Sequence, residues 1–254
     1  MLLLIDVGNS NIVFALSKDE EIVQKKRIST RREITSDEIG MILSFFFRKK
    51  DISDIIFSSV IPPLNPIIKD ACIRYLEKEP ILFQLEMKTG VEILYEEKER
   101  LGMDRLINVS AAYNKYKKGA IVIDFGTATT FDYVSKDGKY LGGAISPGIG
   151  ISAESLFERA YQLPRIAKFY KPISAIAKRT VDSINTGIIL GYACLVDGMI
   201  EKIKEEAGER DLITIATGGL SYLMKDVCKK IDIVDEDLTL YGLITIYRLN
   251  RNDN

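Results

Sequence analysis

The feature that most limits what this chain can fold into is its resemblance to itself. Shifting the sequence by 118 residues sets Leu4-Ile5-Asp6-Val7-Gly8-Asn9 over Val122-Ile123-Asp124-Phe125-Gly126-Thr127, and Ser17-Lys18-Asp19 over Ser135-Lys136-Asp137. Both copies read as an apolar strand ending in Asp-x-Gly, a short polar turn, a second strand (Ile12 to Leu16; Thr130 to Val134), a charged hairpin turn and a third strand. Two copies of one unit point to two similar domains rather than one continuous core.

The stretch after each copy extends the parallel. Thr35-Ser36-Asp37-Glu38 is a capping box before a helix with Ile39, Ile42, Leu43 and Phe46 at helical spacing. A strand from Ile55 to Val60, the break Pro62-Pro63, a helix from Asn65 to Glu77 and a buried strand from Ile81 to Leu85 come next. The second half repeats this grammar. A helix from Thr180 to Glu206 leads to a strand from Leu212 to Ala216, then Gly218-Gly219, a helix through Leu223 and Val227, a strand from Ile231 to Val234 and a closing helix from Leu238. Such an order mixes antiparallel hairpins with parallel strands joined by helices. Residues 86–119, with the charged run Glu96-Glu97-Lys98-Glu99-Arg100, join the halves, and a cleft between two domains is the default ligand site.

Composition then removes whole classes of chemistry. Among 254 residues there is no histidine, which excludes Ser-His-Asp and Cys-His catalysis, His-ligated zinc and an imidazole pH switch. Lys and Arg number 35 against 36 Asp and Glu, so no global basic field advertises nucleic acid or an anionic membrane. The three cysteines, Cys72, Cys194 and Cys228, are far apart and form no CxxC pair, which favours a reducing cytoplasm over a disulfide framework. The apolar start Met1 to Ile5 meets Asp6 and Gly8-Asn9 too soon to be a signal sequence, and no apolar stretch elsewhere approaches the roughly 20 residues that span a bilayer.

The two Asp-x-Gly turns carry the candidate chemistry. Each places a carboxylate beside a glycine and small polar residues, Asn9-Ser10-Asn11 in one and Thr127-Ala128-Thr129-Thr130 in the other. Glycine lets the backbone approach a phosphate, turn N–H groups donate to its oxygens, and the carboxylates Asp6 and Asp124 can hold a cation such as Mg²⁺. A tight hairpin with a local Asp cap is the alternative for either turn alone. Thr217-Gly218-Gly219 after an apolar strand adds a place for close backbone approach. Gly148-Ile-Gly150-Ile-Ser-Ala153 imitates a dinucleotide fingerprint, but no βαβ unit surrounds it, and the Walker pattern is absent. Gly102-Met103-Asp104-Arg105 opens a helix through Leu106, Val109 and Ala112; it reads either as a helix-start charge pair or, with no histidine available, as a general base for a hydroxyl nucleophile.

In series, Asp6-Val-Gly-Asn-Ser-Asn11, Gly102-Met-Asp-Arg105, Asp124-Phe-Gly-Thr-Ala-Thr129, Gly142-Gly-Ala-Ile-Ser-Pro-Gly148, Thr217-Gly-Gly219 and Leu238-Thr-Leu-Tyr-Gly-Leu243 resemble the type III pantothenate kinases, over nearly the whole chain and in the family's order. The resemblance implies an α/β fold of duplicated ribonuclease-H-like (actin-like ATPase) domains, with mixed sheets flanked by helices and an ATP cleft between them, divided as 1–115 and 116–254. It implies ATP-dependent phosphorylation of pantothenate to 4'-phosphopantothenate, the first step of coenzyme A biosynthesis, by a homodimer, while the charge balance, cysteines and hydropathy above favour a cytoplasmic protein with no nucleic-acid or membrane partner. By position, Asp6, Val7, Gly8, Asn9, Ser10 and Asn11 would form one phosphate loop, with Asp6 orienting Mg²⁺ or another divalent cation through water. Thr127 and Thr129 would form the second loop, and Thr217, Gly218 and Gly219 the adenosine motif. Asp124 would ligate K⁺ or NH₄⁺, Asp104 would be the catalytic base, and Tyr95, Gly102, Met103, Asp104, Arg105 and Thr180 would hold pantothenate. Tyr241 departs from the acidic residue usual in the closing motif. The alternative the family offers is a non-catalytic, ATP-binding regulatory relative of the accessory transcription factor type.

Overall fold

In the computed structural model, which describes residues 1–251, the two copies of the repeat become two sheets with the same strand order. In the first, β1 (Leu2–Val7) pairs antiparallel with β2 (Asn11–Lys18) and β2 with β3 (Glu21–Ser29). On its other side β1 lies parallel to β4 (Asp54–Ser59), which carries the short β5 (Ile81–Leu82). The second sheet has an extra edge strand, β6 (Glu92–Ile93), drawn from the segment expected only to join the halves. Its main body repeats the first: β7 (Ala120–Phe125), β8 (Ala128–Val134) and β9 (Lys139–Pro147) form an antiparallel meander, and β10 (Ile213–Thr217) and β11 (Ile233–Val234) continue it in parallel beside β7. Short turns can join only antiparallel neighbours, so each parallel addition requires a helical crossover.

The helices follow from local sequence. Thr35 caps α1 (Ser36–Phe46): the Glu38 backbone N–H donates to Thr35 Oγ1 at 3.2 Å, and the Thr35 N–H donates back to Glu38 Oε2 at 2.8 Å. With α2 (Asn65–Leu76), α1 covers one face of the first sheet, where Ile39, Leu43, Ile68, Cys72 and Leu76 pack on Leu3, Ile5, Val7, Ile12, Phe14 and Phe57. Strand alternation therefore sends Leu2, Leu4 and Asp6 to the opposite face.

That opposite face is closed by the last helix, α7 (Leu238–Arg251), which packs on β1 and β4. The packing differs from a division at residue 115. One unit takes in Met1–Val91, Tyr95–Asn114 and the chain from Leu238 onward; the other takes in Glu92–Leu94 and Lys115–Asp237. The reason is the buried stripe Leu238, Leu240, Leu243, Ile244 and Ile246, which finds its partners in the first sheet and in α3 (Met103–Tyr116). Thr239 Oγ1 donates to the buried Asn108 Oδ1 of α3 at 2.7 Å. At Gly242 the two helices nearly touch, because an added Cβ would stand 2.4 Å from Ile107 Cγ2 and 2.5 Å from the Ile107 carbonyl oxygen. Gly242→Ala is expected to lower stability by about 1–3 kcal/mol through overpacking. The urea midpoint measures this, and an unchanged midpoint would mean that α3 and α7 separate freely.

In the second unit, α5 (Thr180–Ala207) and α6 (Ser221–Lys225) place Ile189, Ala193, Val196, Ile200 and Met224 against Ile121, Ile123, Phe125, Phe131 and Ala216. A helix unanticipated from the sequence, α4 (Ile149–Arg159), begins at the Gly-x-Gly string, with Gly148 as its N-cap. The α5 helix also corrects the expectation that nothing in the chain could span a bilayer. With 28 residues and a mean hydropathy of 1.4 over its most apolar window, it is long and apolar enough by length and composition. Gly187, Gly191 and Asp197 interrupt its apolar runs, so no unbroken stretch signals it, and its inner face belongs to the core with Ile121 and Phe131.

Candidate active site

On the first unit, the candidate residues gather at the C-terminal ends of β1 and β4 and at the start of α3. Asp6 is the penultimate residue of β1 and pairs across the parallel ladder with Ser58 of β4. Ser58, only 2% exposed, donates its Oγ–H to Asp6 Oδ1 at 2.7 Å. The carboxyl is pushed up to about 6, foremost by burial and also by the nearby Asp104 charge, while the Ser58 bond and the Arg27 charge act in the other direction.

The turn after Asp6 is held rather than loose. The Gly8 N–H closes it by donating to the Asn11 carbonyl at 2.9 Å. Thr30, just past the end of β3, donates its Oγ–H to the Gly8 carbonyl at 2.7 Å and its N–H to the Ser10 carbonyl at 3.0 Å. Asn9 and Ser10 are exposed at the tip, whereas the Val7 side chain is buried in the core, leaving only its backbone to serve a ligand.

Asp104 lies in the first turn of α3, where the helix dipole favours a carboxylate. Its Oδ1 accepts the Arg105 N–H at 2.9 Å and sits so near Gly102 that a Cβ there would come within 2.6 Å. Arg105 is 5% exposed, and its guanidinium lies 5.7 Å from the centre of the Tyr95 ring. The sequence-predicted group Tyr95, Gly102, Met103, Asp104 and Arg105 thus forms one neighbourhood, within electrostatic reach of Asp6. Thr180 is not in that unit; it is the exposed first residue of α5.

The second unit repeats the plan. Asp124 is the penultimate residue of β7, and its parallel neighbour on β10 is Thr217, the counterpart of Ser58. Gly218 follows with φ +89°, and a Cβ there would meet Asp124 Oδ1 at 2.5 Å and the Phe125 backbone at 2.8 Å, so only glycine fits this turn. The second turn is one residue tighter than the first, closed by Gly126 N–H donating to the Ala128 carbonyl at 3.1 Å. Gly148 N–H donates to the Thr127 carbonyl at 3.0 Å, and a Cβ at Gly148 would come within 2.3 Å of that oxygen. Thr129 is fully buried, its Oγ1 has no hydrogen-bond partner, and it pairs across the ladder with Phe125 of the core. Gly219 is exposed beside the turn.

Sequence reasoning missed Ser58 and Thr30. Ser58 could have been found by carrying the repeat one strand further, to the end of β4 as to the end of β10. Thr30 is reached only through long-range strand pairing and left no local signal. Among the described residues, no cluster of three or more His, Cys, Asp or Glu could cage a metal ion. The donors present are single hard carboxylates, which suit a cation that arrives largely coordinated by phosphate and water. The cysteines take no part: burial pushes the Cys72 and Cys228 thiols up to about 12, far from reactive thiolates.

The family model and the sequence relatives agree on one family. A family model described as type III pantothenate kinase matches residues 2–202. A protein of Desulfatibacillum aliphaticivorans named type III pantothenate kinase is 49% identical over 252 residues, spanning 97% of this chain and 98% of that protein. Among solved structures, a Campylobacter jejuni protein assigned to the Baf family of transcriptional activators matches with a TM-score of 0.63 at 22% identity, over 98% of this chain and 99% of that one. The inorganic polyphosphate/ATP-glucomannokinase of Arthrobacter sp. strain KM matches with a TM-score of 0.52 at 12% identity, over 100% and 99% of the two chains. At such identities the structural matches speak for the fold alone, an actin-like ATPase fold of two mixed α/β sheets.

Proposed function

The chain belongs to the type III pantothenate kinase family, and from that premise we propose how its residues divide the work of moving a phosphoryl group from ATP to pantothenate in coenzyme A biosynthesis. The observation that carries the assignment is the pairing of Asp6 and Asp104 on one unit, one carboxylate beside a braced phosphate loop and the other at a helix start beside a buried arginine.

Asp104 accepts the proton of the pantothenate hydroxyl as that oxygen attacks the γ-phosphorus in line with the departing ADP oxygen. Phosphoryl transfer asks little covalent work of the protein, so position and charge carry the rate. Asp6, Gly8, Asn9, Ser10 and Asn11, with the Val7 backbone, take the β- and γ-phosphates; Thr127 and Thr129 form the second phosphate loop, and Thr217, Gly218 and Gly219 receive the adenosine. Arg105, steadied by Tyr95, meets the pantothenate carboxylate, with the Gly102-Met103 backbone and Thr180 completing that subsite. A divalent cation, Mg²⁺ in the first instance, would be held by Asp6, through water, and would supply neutralisation of the phosphate charge. Asp124 offers a hard carboxylate oxygen for K⁺ or NH₄⁺.

A cytoplasmic homodimer is part of the same reading. The segment between α4 and α5 leaves Tyr161, Ile173 and Ile176 at 103%, 105% and 82% exposure, apolar surface that a second copy would cover next to Thr180. The formal net charge of -1 supports small anionic substrates met by local donors, with no nucleic acid or membrane involved. A purely regulatory relative has no need of Asp104 beside an ordered phosphate loop, so the kinase is the reading we adopt.

ADP release from purified protein with ATP, Mg²⁺, K⁺ and pantothenate tests this. Turnover is expected with pantothenate, and replacing K⁺ by Na⁺ is expected to reduce it at least tenfold. A folded protein that binds ATP but gives no pantothenate-dependent ADP would refute the acceptor, and indifference to the cation would refute the role of Asp124.

A further inference from the structure

The register of the first sheet lines up four side chains in one row. Ser58 of β4 pairs with Asp6 of β1, Asp6 with Val13 of β2, and Val13 with Arg27 of β3. Directly paired residues share a face, and their sequence neighbours Ile5, Ile12, Phe57 and Ile28 all pack into the core on the other side. Arg27 therefore stands on the Asp6 face, two strands across, with only valine between them. Its charge is felt at Asp6. Among the described residues, its exposed guanidinium is engaged in no hydrogen bond and no ion pair, whereas Arg31 and Arg248 each hold a glutamate at 2.6 Å.

Two carboxylates and one such arginine make an unbalanced site for the reaction just proposed. A γ-phosphoryl group brings several negative charges up to Asp6 and Asp104, and in the transition state that charge spreads over its equatorial oxygens. A planar guanidinium offers two parallel N–H donors to such oxygens, a geometry an ammonium cannot reproduce. We propose that Arg27 is a catalytic residue of this kinase, reaching over Val13 to the γ-phosphoryl oxygens of ATP and stabilising them during transfer. The proposal rests on the phosphate-loop assignment above, and it makes Arg27 specific for the third phosphate rather than for nucleotide in general.

The discriminating experiment compares ATP with ADP. Calorimetric affinities for both nucleotides, with Mg²⁺ and without pantothenate, are measured for the full chain and for Arg27→Ala and Arg27→Lys. Arg27→Ala is expected to weaken ATP about tenfold while leaving ADP within about twofold, and to lower kcat by about 10²–10³ with KM for pantothenate little changed. Arg27→Lys should recover part of kcat, and guanidinium ion added to Arg27→Ala should recover some as well. Because Arg27 is exposed on an edge strand, the thermal midpoint should stay put. Equal losses for ATP and ADP, or no loss for either, would overturn the proposal and leave Arg27 as a charge that shields the sheet edge from pairing. The nucleotide arm needs no acceptor, so an ATP-selective loss in a protein inert towards pantothenate would separate failure of the substrate assignment from failure of this one.

Discussion

Asp104→Asn is expected to lower kcat by about 10²–10⁴ while leaving ATP affinity within a factor of about two. The substitution is nearly isosteric, and the amide oxygen can still accept the Arg105 N–H that Asp104 Oδ1 accepts at 2.9 Å, so the start of α3 should keep its shape. What the substitution removes, on the role proposed for Asp104, is the ability to take a proton from the pantothenate hydroxyl. Single-turnover measurements would place the loss in the chemical step, and nucleotide titration would show the binding site intact. If ATP affinity fell as far as kcat, Asp104 would belong to the nucleotide site and the base would have to be sought elsewhere.

Asp6→Asn should move activity and stability in opposite directions. The Asp6 carboxyl titrates near 6 in the folded chain against an ordinary value of 3.8, chiefly because burial disfavours its charge. A group raised in this way favours the folded state fully below about pH 4, and that contribution is lost as pH rises through 6. At pH 8 the ionised Asp6 thus costs the free protein up to about 3 kcal/mol, which the amide avoids while its oxygen keeps the bond from Ser58. We expect the Asn variant to melt several degrees higher than the parent at pH 8 and close to it at pH 4, yet to turn over at less than a hundredth of the parental rate. A lower melting temperature at pH 8 would show that Asp6 is stabilised as a carboxylate by partners other than Ser58 and Arg27.

Much of this site is legible in the amino-acid sequence. The offset of 118 residues matches Asp6 with Asp124 because both end the first strand of the same unit, and the two sheets share their strand order. Asp104, Gly102 and Arg105 are legible because a helix start is a local event. The hidden part depends on distant pairing. Ser58 meets Asp6 across a parallel ladder that forms only after α1 has crossed over, and no hydrophobic period distinguishes it from any serine at a strand end. Arg27 reads as an ordinary solvated charge in Lys25-Lys26-Arg27 until the register places it level with Asp6. The α4 helix is hidden behind Pro147-Gly148, which reads locally as a turn, and the role of α7 behind its position in the chain, since nothing in an amphipathic stripe says which sheet it will cover.

That placement of α7 bears on how the protein is made. The unit holding Asp6 and Asp104 starts at β1, but the second face of its sheet is closed by α7, which is translated after the other unit, itself almost uninterrupted from Lys115 to Asp237. At ribosomal speeds of about 5–20 residues per second, the early sheet waits on the order of ten seconds with Leu2, Leu4 and Ile56 uncovered while the later unit is translated and can fold. The first unit is thus finished after the second, and a nascent chain stopped before Leu238 would carry a completed inserted unit and a sheet open on one face.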